Sequence, residues 1–405
     1  MKNLLLILAM LCSFTAFSQG VNTKQKTTTG KKETEKKVIE KKPAENKTTS
    51  IPEAVPQEKP KPTIKWLAKA RLLRRYGFID TSGSFVINNE FEDAESFSNG
   101  LARIKKMGEW GYIDSKGTYV INPQFERVED FSEDLARVFK FKKWGYIDLK
   151  GKYAINPQFD HAEDFIGGLA RVKKGLHWGF IDTKGNFVIN PTFLEVSNFS
   201  EGLACARSGK DWGYIDKEGK WAINPQFNEV KDFKDGLARV RKGTQWGFID
   251  KTGSYSINPQ FESVGDFYYG LARAKKMKEW GYIDQTGRWV INPQFFNAGD
   301  FSEGLAKIRK GKNWGYINKS GSIVINLQFD DAEDFINGTA RVRKGTLWGS
   351  IDPNGTFISN PQFDVLKDFN HGFAPVRKGP KWGFINRSGN IAIIYQFEDA
   401  GDFSK

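Results

Sequence analysis

At 405 residues and a formal net charge of +13 at pH 7, the chain is strongly basic and long enough for two or three ordinary domains. Its only cysteines are Cys12 and Cys205. That count excludes a disulfide-stapled scaffold.

From the N-terminus, residues 1–18 read as a secretory signal peptide: Lys2, an apolar run from Leu4 to Leu11, and small residues Ala16 and Ser18 before Gln19. The run is too short to span a bilayer permanently, so no transmembrane segment is expected in the mature chain. Leu11, directly before Cys12, is not the small residue that lipoprotein processing expects. Cleavage removes Cys12 and leaves Cys205 alone, so packing rather than a disulfide must hold the protein. Residues 19–63 contain eleven Lys and six Glu, with many Thr and Pro and almost no large apolar side chains. Such a segment cannot offset the entropy of ordering and is expected to be an extended, disordered tether.

The remainder, residues 64–405, is periodic. The phrase WGYIDSKGTYVINPQF at Trp110 returns at Trp144, Trp178, Trp212, Trp246, Trp280, Trp314, Trp348 and Trp382, with Tyr76 opening the series, which gives ten copies at a spacing of 34. A fixed period of this size marks one supersecondary unit stacked many times. Within the unit, Trp-Gly-aromatic-Ile is a strand with two apolar faces. Asp-x-x-Gly is a hairpin turn whose Gly, such as Gly117, supplies a positive φ. Tyr119–Asn122 returns as a second strand, which Pro123 is expected to end. Two Phe six residues apart, such as Phe125 and Phe131, are core anchors joined by a polar segment read as a loop or single helical turn. A third strand, such as Leu237-Ala238-Arg239-Val240-Arg241, precedes each Trp, with Ala at one place in every copy.

The unit is therefore a three-stranded antiparallel element that needs its neighbours, and the body is all-β. Leu67-Ala68-Lys69-Ala70-Arg71 precedes the first copy, and the last copy stops at Phe403-Ser404-Lys405, just where such a strand would begin. This phase permits a closed propeller-like ring whose N-terminal strand completes the last blade; it also follows from merely keeping each hairpin intact. Ten blades exceeds the usual range of roughly four to eight, and 34 residues is short for four strands. The expected architecture is thus ten antiparallel β-hairpin repeats stacked as an open solenoid or superhelix, with the closed ring as the alternative.

The phrases Trp-Gly-aromatic-Ile-Asp-x-x-Gly, Ile-Asn-Pro-x-Phe and Gly-Leu-Ala-Arg-Val resemble the WG-repeat (KWG) family of bacterial proteins over about Leu67 to Lys405. The resemblance implies tandem repeats, often in exported proteins, without an established catalytic activity. The sequence departs from the pattern at Tyr76 for Trp, Ser350 for the aromatic, Leu327 for Pro, and Ile394-Tyr395 for Asn-Pro.

No catalytic, cofactor-binding or metal site is expected. Catalytic residues normally occur once, whereas the Asp of the turn (Asp114, Asp148, Asp250) recurs and is replaced by Asn318 and Asn386, which suits a turn and not a carboxylate mechanism. His161, His177 and His371 fall at three different repeat positions and pair with neither each other nor Cys205. Cys205 itself stands where most copies carry Arg, and reads as a substitution within the repeat. What accumulates is basic charge seven and five residues before each Trp: Arg103 with Lys105, Arg171 with Lys173, Arg239 with Arg241, Arg273 with Lys275, and Arg341 with Arg343. In register these form two cation ladders. Either they face a ligand, or acidic side chains at fixed positions, such as Asp130, Asp164, Asp232, Asp266, Asp300, Asp334 and Asp368, neutralise them.

The expected function is an exported, non-enzymatic scaffold that is periplasmic, on the outer surface or extracellular, and binds a protein partner. The alternative is binding of a carbohydrate or polyanion, such as an envelope polymer, through the ladders. Export argues against nucleic acid as the partner.

Overall fold

The computed structural model describes residues 66–405; the expected signal peptide and tether, including Cys12, lie outside the described residues. Within them, forty strands form ten four-stranded antiparallel sheets, each holding one repeat. The sheet spanning β4 (Asp93–Ala94), β5 (Leu101–Lys106), β6 (Glu109–Asp114) and β7 (Tyr119–Phe125) is representative, with neighbours in chain order. Between β5 and β6 the register pairs Ala102 with Ile113 and Lys105 with Trp110. The Asp-x-x-Gly turn forms as expected: Asp114 Oδ1 accepts from the N–H of Lys116 at 2.9 Å and Thr118 at 2.8 Å, and Gly117 has φ 82°. Asn318 makes the same turn, accepting from Ser320 N at 3.1 Å and Ser322 N at 3.0 Å.

The array is a closed ten-bladed ring and not an open solenoid. The first sheet contains β1 (Leu67–Leu72), β2 (Arg75–Ile79) and β3 (Phe85–Phe91), and its fourth strand is β40 (Asp399–Ser404), from the other end of the repeat body. The pairing is antiparallel, with Ala68 opposite Phe403 and Arg71 opposite Asp399. Side chains repeat this closure. The turn glycine of each blade faces an Ile of the preceding one, as Gly151 faces Ile121, and Gly83 of the first blade faces Ile393 of the tenth. Phe125 meets Tyr153 edge-on at 6.1 Å, and Phe397 meets Phe85 in the same way at 5.9 Å. The junction of last and first blades is one more copy of the common interface.

Four strands fit into so short a repeat because the first is brief. The segment expected to be a loop or helical turn holds only two paired residues in most blades, such as Asp93–Ala94, although it lengthens to Arg127–Ser132 in the third. Pro123 does not end its strand. Pairing resumes beyond it, with Trp110 opposite Phe125, and the register shift between places the proline in a bulge, where its missing N–H costs no ladder bond. This bulged strand crosses tightly over the glycine of Trp-Gly. A Cβ on Gly145 would lie 2.6 Å from the carbonyl oxygen of Ile155, and one on Gly77 would lie 2.5 Å from that of Ile87. The glycine recurs in every copy because backbone occupies the place of its side chain.

The core lies between blades. One cluster joins Phe78, Ile87 and Phe91 of the first blade to Ala94, Phe97, Ala102, Ile104 and Ile113 of the second, and another joins the tenth blade to the first. Ala102 and its equivalents are fully buried, which leaves no room for a larger residue. The aromatic that opens the returning strand is only partly covered: Tyr119, Phe187 and Trp221 are half-buried against the core, and Tyr153 and Tyr255 are exposed. Two measurements follow. Gly145→Ala should destabilise the protein by several kcal/mol, because the opposing atom is backbone that cannot step aside; chemical denaturation reads this directly. Removing residues 399–405 should leave one edge of β1 unpaired, lower the melting temperature and enlarge the radius of gyration in solution scattering.

Candidate functional site

The two cation ladders have different fates. The Arg or Lys seven residues before the Trp reaches forward into the next blade, and in the fullest cases meets three partners. Arg273 donates from Nη1 to the Ala298 carbonyl at 2.8 Å, pairs through Nε with Asp300 at 2.9 Å, and lies over Trp280 of its own blade at 5.2 Å. Arg341 does the same with Leu366 at 3.0 Å, Asp368 at 2.7 Å and Trp348 at 5.9 Å. Arg239 bonds the Val264 carbonyl at 2.9 Å and Asp266 at 2.5 Å. Arg103 bonds Val128 at 3.0 Å and Asp130 at 2.8 Å. Arg171 bonds Val196 at 2.6 Å and, because an Asn stands at the acidic position, the Asn198 side chain at 2.7 Å. Lys69 and Lys307 make shorter-armed versions with Glu95 at 2.7 Å and Glu333 at 3.1 Å. The acidic positions noted in the sequence are therefore the partners of this ladder, and together they lace each blade to the next.

The second ladder, five residues before Trp, stays at the surface. Its members sit directly across the strand pair from the Trp, so their charge rests near the ring: Lys173 lies 5.9 Å from the centroid of Trp178, Lys275 6.0 Å from that of Trp280, and Arg343 5.8 Å from that of Trp348. Arg241 pairs with Glu229 at 3.2 Å and Arg343 with Asp331 at 3.5 Å. Lys105, Lys173 and Lys275 make no ion pair among the described residues. The Trp is half-buried in most repeats, although Trp144, Trp314 and Trp382 are buried in the core, and Trp178, Trp280 and Trp348 each lie near a cation from both ladders.

Two blades lack a cation in the first ladder. In the tenth, Pro375 stands at that position, and Lys367 from the strand beside it takes over, donating to the Ala400 carbonyl at 2.9 Å and lying 4.9 Å from the Trp382 centroid. Asp402 gains no ion pair from this exchange; its Oδ1 has no hydrogen-bond partner, and burial raises its pKa above the ordinary carboxylate range despite Lys367 and Arg341. In the fifth blade the residue is Cys205, and no cation replaces it. The buried thiol donates to Asp232 Oδ1 at 3.3 Å, and burial together with that carboxylate pushes its pKa well up, which makes it a poor nucleophile.

A further feature escaped the sequence reading. The two-residue turn between the second and third strands of a blade presents an exposed apolar side chain in four successive blades: Leu73, Met107 (89% exposed), Phe141 and Leu176. Leu73, Met107 and Phe141 adopt positive φ of 51°, 52° and 53°, a conformation that bulky residues avoid. At the same turn other blades carry Gly209-Lys210, Gly243-Thr244 and Gly345-Thr346, while the seventh blade repeats the apolar case with Met277, exposed at φ 52°. The signal was present in the sequence as variation at one repeat position, and is overlooked when only the recurring residues are read.

The WG containing repeat matches the chain in ten consecutive segments: 76–109, 110–143, 144–175, 178–210, 212–243, 246–276, 280–314, 314–348, 348–382 and 382–405. The chain belongs to this family. No curated protein matches this WG-repeat chain in sequence. In fold it is similar to a eukaryotic initiation factor seen in a crystal structure, with a TM-score of 0.50 at 11% identity, over 84% of this chain and 98% of that one. It also matches PorZ, a bacterial surface component of the type-IX secretion system of Porphyromonas gingivalis, at a TM-score of 0.27 and 10% identity, over 81% of this chain and 53% of that one. At these identities the likeness is one of fold alone.

The unequal ladders predict unequal substitutions. Arg239→Gln should cost about 1.5 to 3 kcal/mol, since it strips a charged donor from Asp266 and the Val264 carbonyl, whereas Arg241→Gln should stay within about 0.5 kcal/mol in denaturant titration. Asp402→Asn should raise the melting temperature at pH 7. A folded-state carboxyl with a raised pKa contributes stability only at low pH and loses it as pH rises through that pKa, so the gain should vanish as the pH falls below the unfolded carboxyl's value.

Proposed function

We propose that this WG-repeat ring is a non-enzymatic interaction scaffold, exported through its N-terminal segment, and that it docks a protein through the apolar turns of its first four blades. The observation that carries the reading is the arc of Leu73, Met107, Phe141 and Leu176, exposed in the same two-residue turn on adjacent blades, with Leu176 one residue further along than the others. Lone exposed apolar residues need no explanation, but a row of them, three at strained positive φ, does. The recurring polar groups support the same reading by their occupation: the turn carboxylates cap backbone N–H groups and the first cation ladder binds the next blade, so neither offers a free catalytic set.

A second reading, binding of a polyanionic envelope polymer, rests on the outer ladder alone, where Lys105, Lys173 and Lys275 make no ion pair among the described residues. One experiment separates the two. The chain is used as bait in envelope extract, with and without nuclease and glycan-degrading treatment. A protein retained after treatment, and lost when Met107, Phe141 and Leu176 are all changed to Asp, is the expected result. Capture that disappears on glycan degradation and falls steeply with salt would instead favour the polymer, because each neutralised anionic group releases counterions.

A further inference from the structure

We propose that the gap left by Cys205 is a preformed binding site for a guanidinium group supplied from outside the chain. The reasoning is internal to the ring, because the other interfaces show what such a place holds. Where the ladder residue is Arg, its guanidinium sits between a backbone carbonyl and a carboxylate or amide of the next blade, and Arg137, Arg171, Arg273 and Arg341 also lie near the Trp of their own; Arg137 meets all three, with the Ala162 carbonyl at 2.6 Å, Asp164 at 2.6 Å and Trp144 at 5.6 Å. At the fifth blade the equivalent residues are all present: the carbonyl-bearing Val230, the carboxylate of Asp232, and Trp212. The cation of this blade is missing. In its place is a cavity of about 440 Å³ lined by Cys205, Trp212, Val230 and Asp232, and by Arg171 and Trp178 of the preceding blade.

Arg171 lines the cavity from the fourth blade, but its guanidinium is held in its own place by the Val196 carbonyl at 2.6 Å and the Asn198 side chain at 2.7 Å. Lys367 shows how the ring repairs a lost cation, but the residue equivalent to it here is Ser197, whose hydroxyl is engaged by the Cys205 N–H at 3.0 Å and is far too short. Lys231, next to Asp232, turns away to Glu229 at 3.0 Å. Trp212 carries Arg207 at 5.8 Å, a single cation as at Trp246 and Trp314, whereas Trp178 and Trp280 each lie near two. Asp232 is exposed to solvent and makes no ion pair among the described residues, so an incoming cation can reach it. A planar guanidinium suits the set better than a point charge, because one edge can serve the carbonyl and carboxylate while its face lies along the indole.

Calorimetric titration of the full chain with ethylguanidinium chloride, which reproduces the end of an arginine side chain, tests this directly. One saturable site is expected, with no binding of N-ethylurea, which has similar shape without the charge. Asp232→Asn should weaken binding at least tenfold. Cys205→Arg should abolish it while leaving the melting temperature unchanged or higher, since it installs the residue that neighbouring blades use; this keeps loss of binding distinct from loss of fold. A capped Gly-Arg-Gly peptide distinguishes the source. Tighter binding than ethylguanidinium assigns the site to an arginine presented by a protein, and weaker or equal binding assigns it to a small guanidino compound. Absence of binding to the unsubstituted chain, or undiminished binding by Cys205→Arg, overturns the proposal.

Discussion

The apolar face of each blade is covered by the next blade, and the rest of the structure depends on that constraint. A repeat of 34 residues has too few large side chains to bury its own core, and the clusters accordingly span two blades each. A head-to-tail interface of this kind leaves two terminal faces open unless the rotation per unit brings the array back on itself. Here it does, and Phe397 covers Phe85 as Phe125 covers Tyr153. Closure removes both open ends, so no capping repeat is needed. The exchange of β40 into the first sheet then ties the closing interface through backbone hydrogen bonds as well as packing.

Much of the unit was legible in the sequence because its signals are local. The Asp-x-x-Gly turn, the extended Trp-Gly-aromatic-Ile segment and the buried alanine each follow from what a few neighbouring residues can do. The choice of ring over solenoid was not legible, since the rotation between units is spread over Ile121, Gly151, Phe125 and Tyr153, none of which reveals an angle alone. Strand count misled in the same direction. A two-residue strand such as Asp93–Ala94 carries no alternation to detect, and Pro123 looks like a terminator until the bulge that accommodates it is seen.

The ladders show a different limit. Their periodicity was plain, and so were the acidic positions, but a strand presents seven-before and five-before residues on one face without saying which side chain meets the next blade. Place along the strand decides it: Arg341 extends to Leu366 and Asp368, whereas Arg343, one step nearer the turn, finds Asp331 within its own sheet. The consequence for function is that half of the apparent basic surface is internal lacing. What remains for partners is an outer ring of cations resting on indoles and the arc of apolar turns.

In a protein built from repetition, a departure from the repeat carries more functional information than the repeat itself. Pro375 and Cys205 remove the same guanidinium, yet the ring answers only one of them. Lys367 restores a charge beside Trp382, while Ser197 cannot do so beside Trp212. Were the stitch needed only for stability, both losses would be expected to show a repair or neither. The apolar turns follow the same logic, because glycine supplies the positive φ at low cost in Gly209-Lys210 and Gly243-Thr244, whereas Leu73 and Phe141 adopt it against their own preference. Strain accepted at one edge of the ring and a cation withheld at another both set single blades apart from their copies. Such differences make an otherwise ten-fold surface directional, which a scaffold requires if it is to hold one partner in one orientation.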